Sequence, residues 1–160
     1  AGNTLGKPFT GVFGSVQMDY KRMATRNELQ KLEATINASG VVDEAIILHT
    51  LKAETAASGD TQGADSQDNT TSTTAGGAGY LQVTDLTLGG YTSVTIKIRD
   101  SIDDTTYADL VTFANVTAAD TAERVQVADN PTNRHLATSW LFNGAGSGQS
   151  ITWMAGFDRY

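Results

Sequence analysis

Between Tyr80 and Asp109 apolar and polar side chains alternate at period two, a spacing that a helix cannot turn into one apolar face. Leu81 and Val83 form one apolar set, which Leu86 and Leu88 extend less strictly. Val94, Ile96 and Ile98 form a second, interleaved with Thr95, Lys97 and Arg99, and Gly89-Gly90 separates the two runs. Successive side chains of a strand point to opposite faces, so each run hides one face and shows the other. The expectation is two half-buried antiparallel strands.

The same reading extends downstream. Leu110–Val116, Glu123–Ala128, Arg134–Phe142 and Gln149–Phe157 read as strands, broken by turn chemistry such as Asp129-Asn130-Pro131-Thr132-Asn133. Upstream, Gly14–Met23 alternates through Val16, Met18 and Tyr20. Val41–Ala53 carries Ile46 and Leu48 on one face and Ile47, His49 and Leu51 on the other, as a strand covered on both sides must. Ala24–Ala38 is ambiguous. Thr25 and Glu28 fit a capping box and Leu29, Leu32 and Ile36 fit helical spacing, yet Leu32, Ala34, Ile36 and Ala38 also alternate. Pattern alone leans marginally to helix there.

About seven or eight short strands spaced by turns make the expected fold all-β, an antiparallel β-sandwich of jelly-roll or Ig-like type. A short β-rich lobe and an extended N-terminal arm precede it. Only 18% of the residues are charged and there are two prolines, which suits Thr/Val/Ile strands between Gly, Asn and Asp turns. The expected division is an arm and small oligomerisation lobe at 1–53, a polar connector or edge strand at 54–79, and the sandwich at 80–160. Residues 1–15 are glycine-rich, with Leu5, Phe9 and Phe13 set apart as anchors. The stretch from Glu54 to Gly79 has no aromatic residue and no aliphatic one larger than alanine until Tyr80, and Asp65–Thr74 could pair there as an edge strand through its backbone alone.

Charge is uneven. Residues 1–53 hold six Lys or Arg against five acids, whereas 54–160 hold five against thirteen, within a net charge of −7. The acidic part is not expected to grip nucleic acid by counterion release, so no specific nucleic-acid partner is expected. No apolar run approaches membrane-spanning length; the longest is Ala45–Leu48. The start of the chain lacks the basic-then-apolar layout of a signal peptide, and no membrane partner is expected. Without cysteine there is neither a disulfide framework nor a thiolate nucleophile.

Catalytic chemistry is sparse. His49 and His135 lie in separate strands without metal-ligand spacing, and are read as packing or edge residues. Asp100, Asp103 and Asp104 are weak calcium candidates. They lack the Asp-x-Asp-x-Asp-Gly loop that ends in Glu, and turn formation accounts for them better. Gly144–Gly148 joins two strands rather than a strand and a helix, so it reads as a hairpin loop and not a phosphate loop. Trp140 and Trp153 sit within alternating strands and read as core; an exposed aromatic row would instead suit carbohydrate. No catalytic residue, cofactor or metal is assigned.

Gly76–Phe113 (GGAGYLQVTDLTLGGYTSVTIKIRDSIDDTTYADLVTF), then Ala122–Val127, Asn133–Trp140 and Ile151–Phe157, carry a resemblance. Together they resemble the C-terminal sandwich domain of tailed-phage virion proteins, seen in siphovirus major tail (tail tube) proteins. Ser101–Leu110 matches that family's acidic turn, and Arg134-His135-Leu136 stands where it has an Arg-Tyr-Leu-like strand. The resemblance implies a non-enzymatic building block that self-assembles into a homo-oligomeric ring or shell and meets other virion proteins. Its location would be the virion, assembled in the host bacterial cytoplasm. It also implies a strand rather than a helix at Glu28–Ala38, and subunit contacts through Leu5, Phe9, Phe13, Ile46 and Leu48. A capsid decoration protein built on the same sandwich, or a carbohydrate-binding module, are the alternatives.

Overall fold

A computed structural model describes residues 3–12, 15–23, 31–38, 42–128 and 130–160, with side chains for 3–11, 42–128 and 130–160. Among the described residues twelve strands run in chain order: β1 Pro8–Val12, β2 Ser15–Met23, β3 Lys31–Ala38, β4 Val42–Glu54, β5 Ser58–Asp60, β6 Gln67–Asp68, β7 Gly76–Thr87, β8 Ser93–Ser101, β9 Ala108–Thr112, β10 Thr121–Ala128, β11 His135–Asn143 and β12 Ser150–Arg159. One short 3-10 turn, Gly63–Asp65, lies between β5 and β6.

The fold is all-β, as the alternation required. One sheet runs β1-β4-β12-β7-β10 and a second runs β5-β11-β8-β9, with β6 also paired to β11. Both contribute to one core. Leu48, Val83, Ile151, Trp153 and Phe157 come from the first sheet, and Val94, Ile96, Ile98, Leu136 and Phe142 from the second. Two antiparallel sheets closing over a shared apolar layer form a β-sandwich. Trp140 and Trp153 are both buried in it.

Ala1–Phe9 with Ala45–Tyr160 form one compact unit, and Thr10–Glu44 form a second. Within the second, β2 and β3 make an antiparallel ladder whose register shifts between Gln17 and Asp19. Lys31–Ala38 is therefore strand, and the helix that pattern favoured does not form there. Its Thr35-Ile36 pair suits a pleated strand better than a helix, where β-branched side chains lose rotamer freedom. The capping-box residues Thr25 and Glu28 lie outside the described residues, as does Phe13.

The sandwich also draws on strands that precede residue 80. β4 sits between β1 and β12 in the first sheet. The polar stretch 54–79 supplies β5 and β6, both antiparallel to β11, together with an isolated bridge from Thr73 to Thr132. These two short strands, Ser58–Asp60 and Gln67–Asp68, join β11 through backbone ladders.

Two connections differ from the expectation. β7 and β8 do not pair with each other, because the Gly89-Gly90 turn carries the chain from one sheet to the other. Gly144–Gly148 is likewise a crossover between β11 and β12, not a hairpin loop. The two crossovers meet: Ser147 N–H donates to Gly89 O at 2.8 Å. At Gly89 φ is +59°, and a Cβ there would come within 2.2 Å of Ser147 O, so only glycine lets the two backbones approach.

Candidate functional site

The acidic turn Ser101–Tyr107 joins β8 to β9. Asp103 Oδ1 accepts from Ser101 Oγ (2.9 Å), Thr105 N–H (3.0 Å) and Thr106 N–H (2.9 Å), which closes the turn. These bonds, the Thr106 amide foremost, hold its carboxyl far below the usual range. Asp104 has φ +59°, and its Oδ1 accepts from Tyr107 OH and, at 2.7 Å, from Ser66 Oγ. Both bonds lower its pKa, that from Tyr107 first. Tyr107 moves the opposite way, up, through burial and then through the same bond. His135 Nδ1 stands 3.7 Å from Asp104 Oδ1. Asp100 is buried, and its Oδ2 accepts from Asn133 N–H at 2.8 Å.

The three calcium candidates therefore each hold a turn or a neighbouring segment by hydrogen bonds. A calcium ion takes six to eight oxygens. Among the described residues no group of three or more His, Cys, Asp or Glu is placed to hold a metal ion.

A second charged group lies on the outer face of the β5-β11-β8-β9 sheet. Alternation sends Ile96 and Ile98 inward, and thereby sends Lys97 and Arg99 outward. Asp109 of β9 accepts from Lys97 Nζ at 2.6 Å and from Arg99 Nε at 3.1 Å. Its pKa is lowered, first by the Lys97 bond. Arg99 also donates to Tyr107 O at 2.6 Å. Lys97, Arg99 and Asp109, with Ser139 and Leu141, line a shallow depression of about 570 Å³.

His49 of β4 is wholly buried. Its ring stacks on Trp153 at 3.7 Å between centroids and meets Trp140 edge-on at 5.8 Å. Nε2 lies 3.2 Å from Glu54 Oε1 and Nδ1 lies 3.3 Å from Trp153 O. Lys52 Nζ pairs with the same Glu54 oxygen at 2.9 Å. Burial outweighs the Glu54 hydrogen bond and lowers the imidazole pKa. The expected packing role for His49 thus takes the form of an aromatic slot. Nothing in the sequence announces it, since Trp153 is 104 positions away.

The proposed contact residues divide. Leu5 and Phe9 are half-buried on their own chain. Phe9 meets Tyr80 edge-on at 5.9 Å, and its ring lies over Gly156, where a Cβ would come within 2.3 Å of it. Asn3 clamps the arm, donating to Leu51 O at 2.9 Å and accepting Leu51 N–H at 2.6 Å. Ile46 is half-buried against the core. Leu48 is 0% exposed in that core, so its side chain has no surface left for a neighbour.

Arg124 carries no sequence signal that sets it apart. It donates to Tyr80 OH at 3.0 Å and to Tyr160 OH at 2.6 Å, across the outer face of the first sheet.

No family model, curated protein or solved structure matches the chain.

Proposed function

We propose that this chain is a non-enzymatic structural protein of a tailed-phage virion, one that self-assembles into the tail tube or a related layer. The observation that carries the reading is where the resembling stretch lies. Gly76–Phe113 forms β7, β8 and β9, so the residues that resemble the phage sandwich supply strands to both sheets. Two further features support it. Asp103, Asp109 and His49 are engaged, respectively, in a turn, an ion pair and core packing. The aromatic side chains best suited to a carbohydrate platform, Trp140 and Trp153, are buried.

On this reading the partners are identical subunits and other virion proteins, and the site of action is the virion. Electron microscopy of purified protein tests it. Rings or tubes are expected, and copies bound to capsids would move the assignment to the head. A persistent monomer that binds glycans would sink it. Removing residues 1–13 is expected to abolish assembly and leave the sandwich folded; assembly retained at full extent would rule out the arm as a connector.

A further inference from the structure

We infer that the free edge of β10 is an assembly seam, pairing antiparallel with the same edge of a second copy about a two-fold axis through Val125. The inference rests on the proposed assembly function and names one of its contacts.

Sheet edges expose unpaired N–H and C=O groups, and soluble proteins blunt them with short strands, prolines, bulges or charges. Among the described residues five strands lie at the outer edges of the two sheets: β1 and β10 in one, and β5, β9 and the two-residue β6 in the other. β1 contains Pro8 and Gly11. β5 is three residues long. β9 has five residues, and its register with β8 shifts between Ile98 and Arg99. β10 has none of these devices. It runs eight residues, TAERVQVA, in unbroken register with β7.

Its two charged side chains do not guard the edge either. Arg124 reaches back over its own sheet to Tyr80 and Tyr160. Glu123 Oε2 accepts Ala114 N–H at 2.9 Å, tying that carboxylate to the segment after β9. On the inner side Val125 and Val127 pack against the core but are only half-buried. A strand laid beside them would complete their burial, the usual gain in edge-strand addition.

Self-complementarity selects a second copy as the occupant. A two-fold axis normal to the sheet keeps inner faces inner, so opposed residues must share the same parity along the strand. Centring on Val125 opposes Glu123 to Val127, Arg124 to Gln126 and Ala122 to Ala128, with no like charges facing. Centring on Glu123 or on Arg124 would oppose a charge to itself. The two five-stranded sheets would then join as one.

Ala122 and Ala128 are exposed, so both can be changed without touching the core. In the proposed register each faces the other across the seam. Ala122→Lys with Ala128→Lys would place lysines opposite lysines at two positions, whereas Ala122→Lys with Ala128→Glu would place opposite charges there. Sedimentation across a concentration series reads the outcome, with thermal melts to show that both variants fold like the parent. The expected result is association weakened about tenfold or more in the double lysine variant and restored in the Lys/Glu variant. Slower amide exchange along β10 should accompany association of the parent. If the parent associates and both variants match it, the seam is overturned and the assembly reading stands. If the parent stays monomeric at every concentration, the assembly reading falls and takes the seam with it.

Discussion

At the scale of single residues, His49 shows how an apolar layer holds a polar side chain and thereby makes stability depend on pH. Stacked on Trp153 and met edge-on by Trp140, the ring is out of water, with Glu54 and Lys52 the charged groups beside it. Desolvation disfavours the imidazolium, so the folded-state pKa lies below 6.5. A group whose pKa is lowered on folding supports the fold fully above its unfolded pKa and ceases to do so as pH falls through the folded one. The melting temperature should therefore drop on acidification below about pH 6.5. The carboxylates with lowered pKa values, Asp68 (about 2), Asp103, Asp104 and Asp109, are held below 3.8, so their own loss begins only in stronger acid. Replacing His49 with Gln should flatten the slope that begins below about pH 6.5 and leave the carboxylate window in place; an unchanged slope would remove His49 from the account. A second contrast separates β4's two kinds of leucine. Leu48→Ala, fully buried, should cost about 2–5 kcal/mol in chemical denaturation, as core truncations do. Leu51→Ala, 40% exposed, should stay within about 0.5 kcal/mol.

At the scale of elements, the crossover turns carry the topology, and glycine substitutions can weigh them. Gly89 and Gly148 both have positive φ, +59° and +71°. Alanine at Gly148 meets nothing within 4 Å and should cost only the backbone term, about 1 kcal/mol. Alanine at Gly89 adds a contact of 2.2 Å with Ser147 O, and should cost about 1–3 kcal/mol more as the crossovers are pushed apart. Equal losses in thermal or denaturant melts would mean that the two turns do not lean on each other. These turns also mark how far the sequence can be read. Strands such as Ser93–Ser101 and Ser150–Arg159 are legible because burying one sheet face forces alternation. Whether two consecutive strands pair or part is settled by turn geometry and by partners far along the chain. Gly89-Gly90 and Gly144–Gly148 are compatible with either, so local pattern suggests a hairpin where the chain changes sheets. The same holds for the charged turn. Its aspartates are legible as turn formers, but the bond from Ser66 to Asp104 spans 38 positions and leaves no local mark. Likewise the alternation that exposes Lys97 and Arg99 does not show that both converge on Asp109.

At the scale of the whole molecule, the N-terminal residues are the part whose reading changes most once the fold is seen. Sequence pattern leaves Leu5 and Phe9 waiting for a neighbour, yet the same chain already receives them. Asn3 exchanges two hydrogen bonds with Leu51, Gly6 N–H donates to Ile47 O at 2.8 Å, and Ile47 N–H donates to Lys7 O at 3.0 Å. A segment docked in this way has two uses open to it: staying on its own sheet, or exchanging onto the equivalent place in a neighbour at little change in contact energy, since the contacts are the same. Either use requires that docking be a real energetic coupling, and the Phe9–Tyr80 pair measures it. Edge-to-face aromatic pairs couple by about 0.5–1.5 kcal/mol beyond their burial. A double-mutant cycle with Phe9→Ala and Tyr80→Leu, read by denaturant unfolding of the full chain, should return a coupling in that range. A cycle closing at zero would mean that the arm does not dock through Phe9, and would leave Asn3 and the backbone bonds to hold it. A coupling that emerges only at concentrations where the protein is oligomeric would instead place Phe9 on a neighbouring subunit.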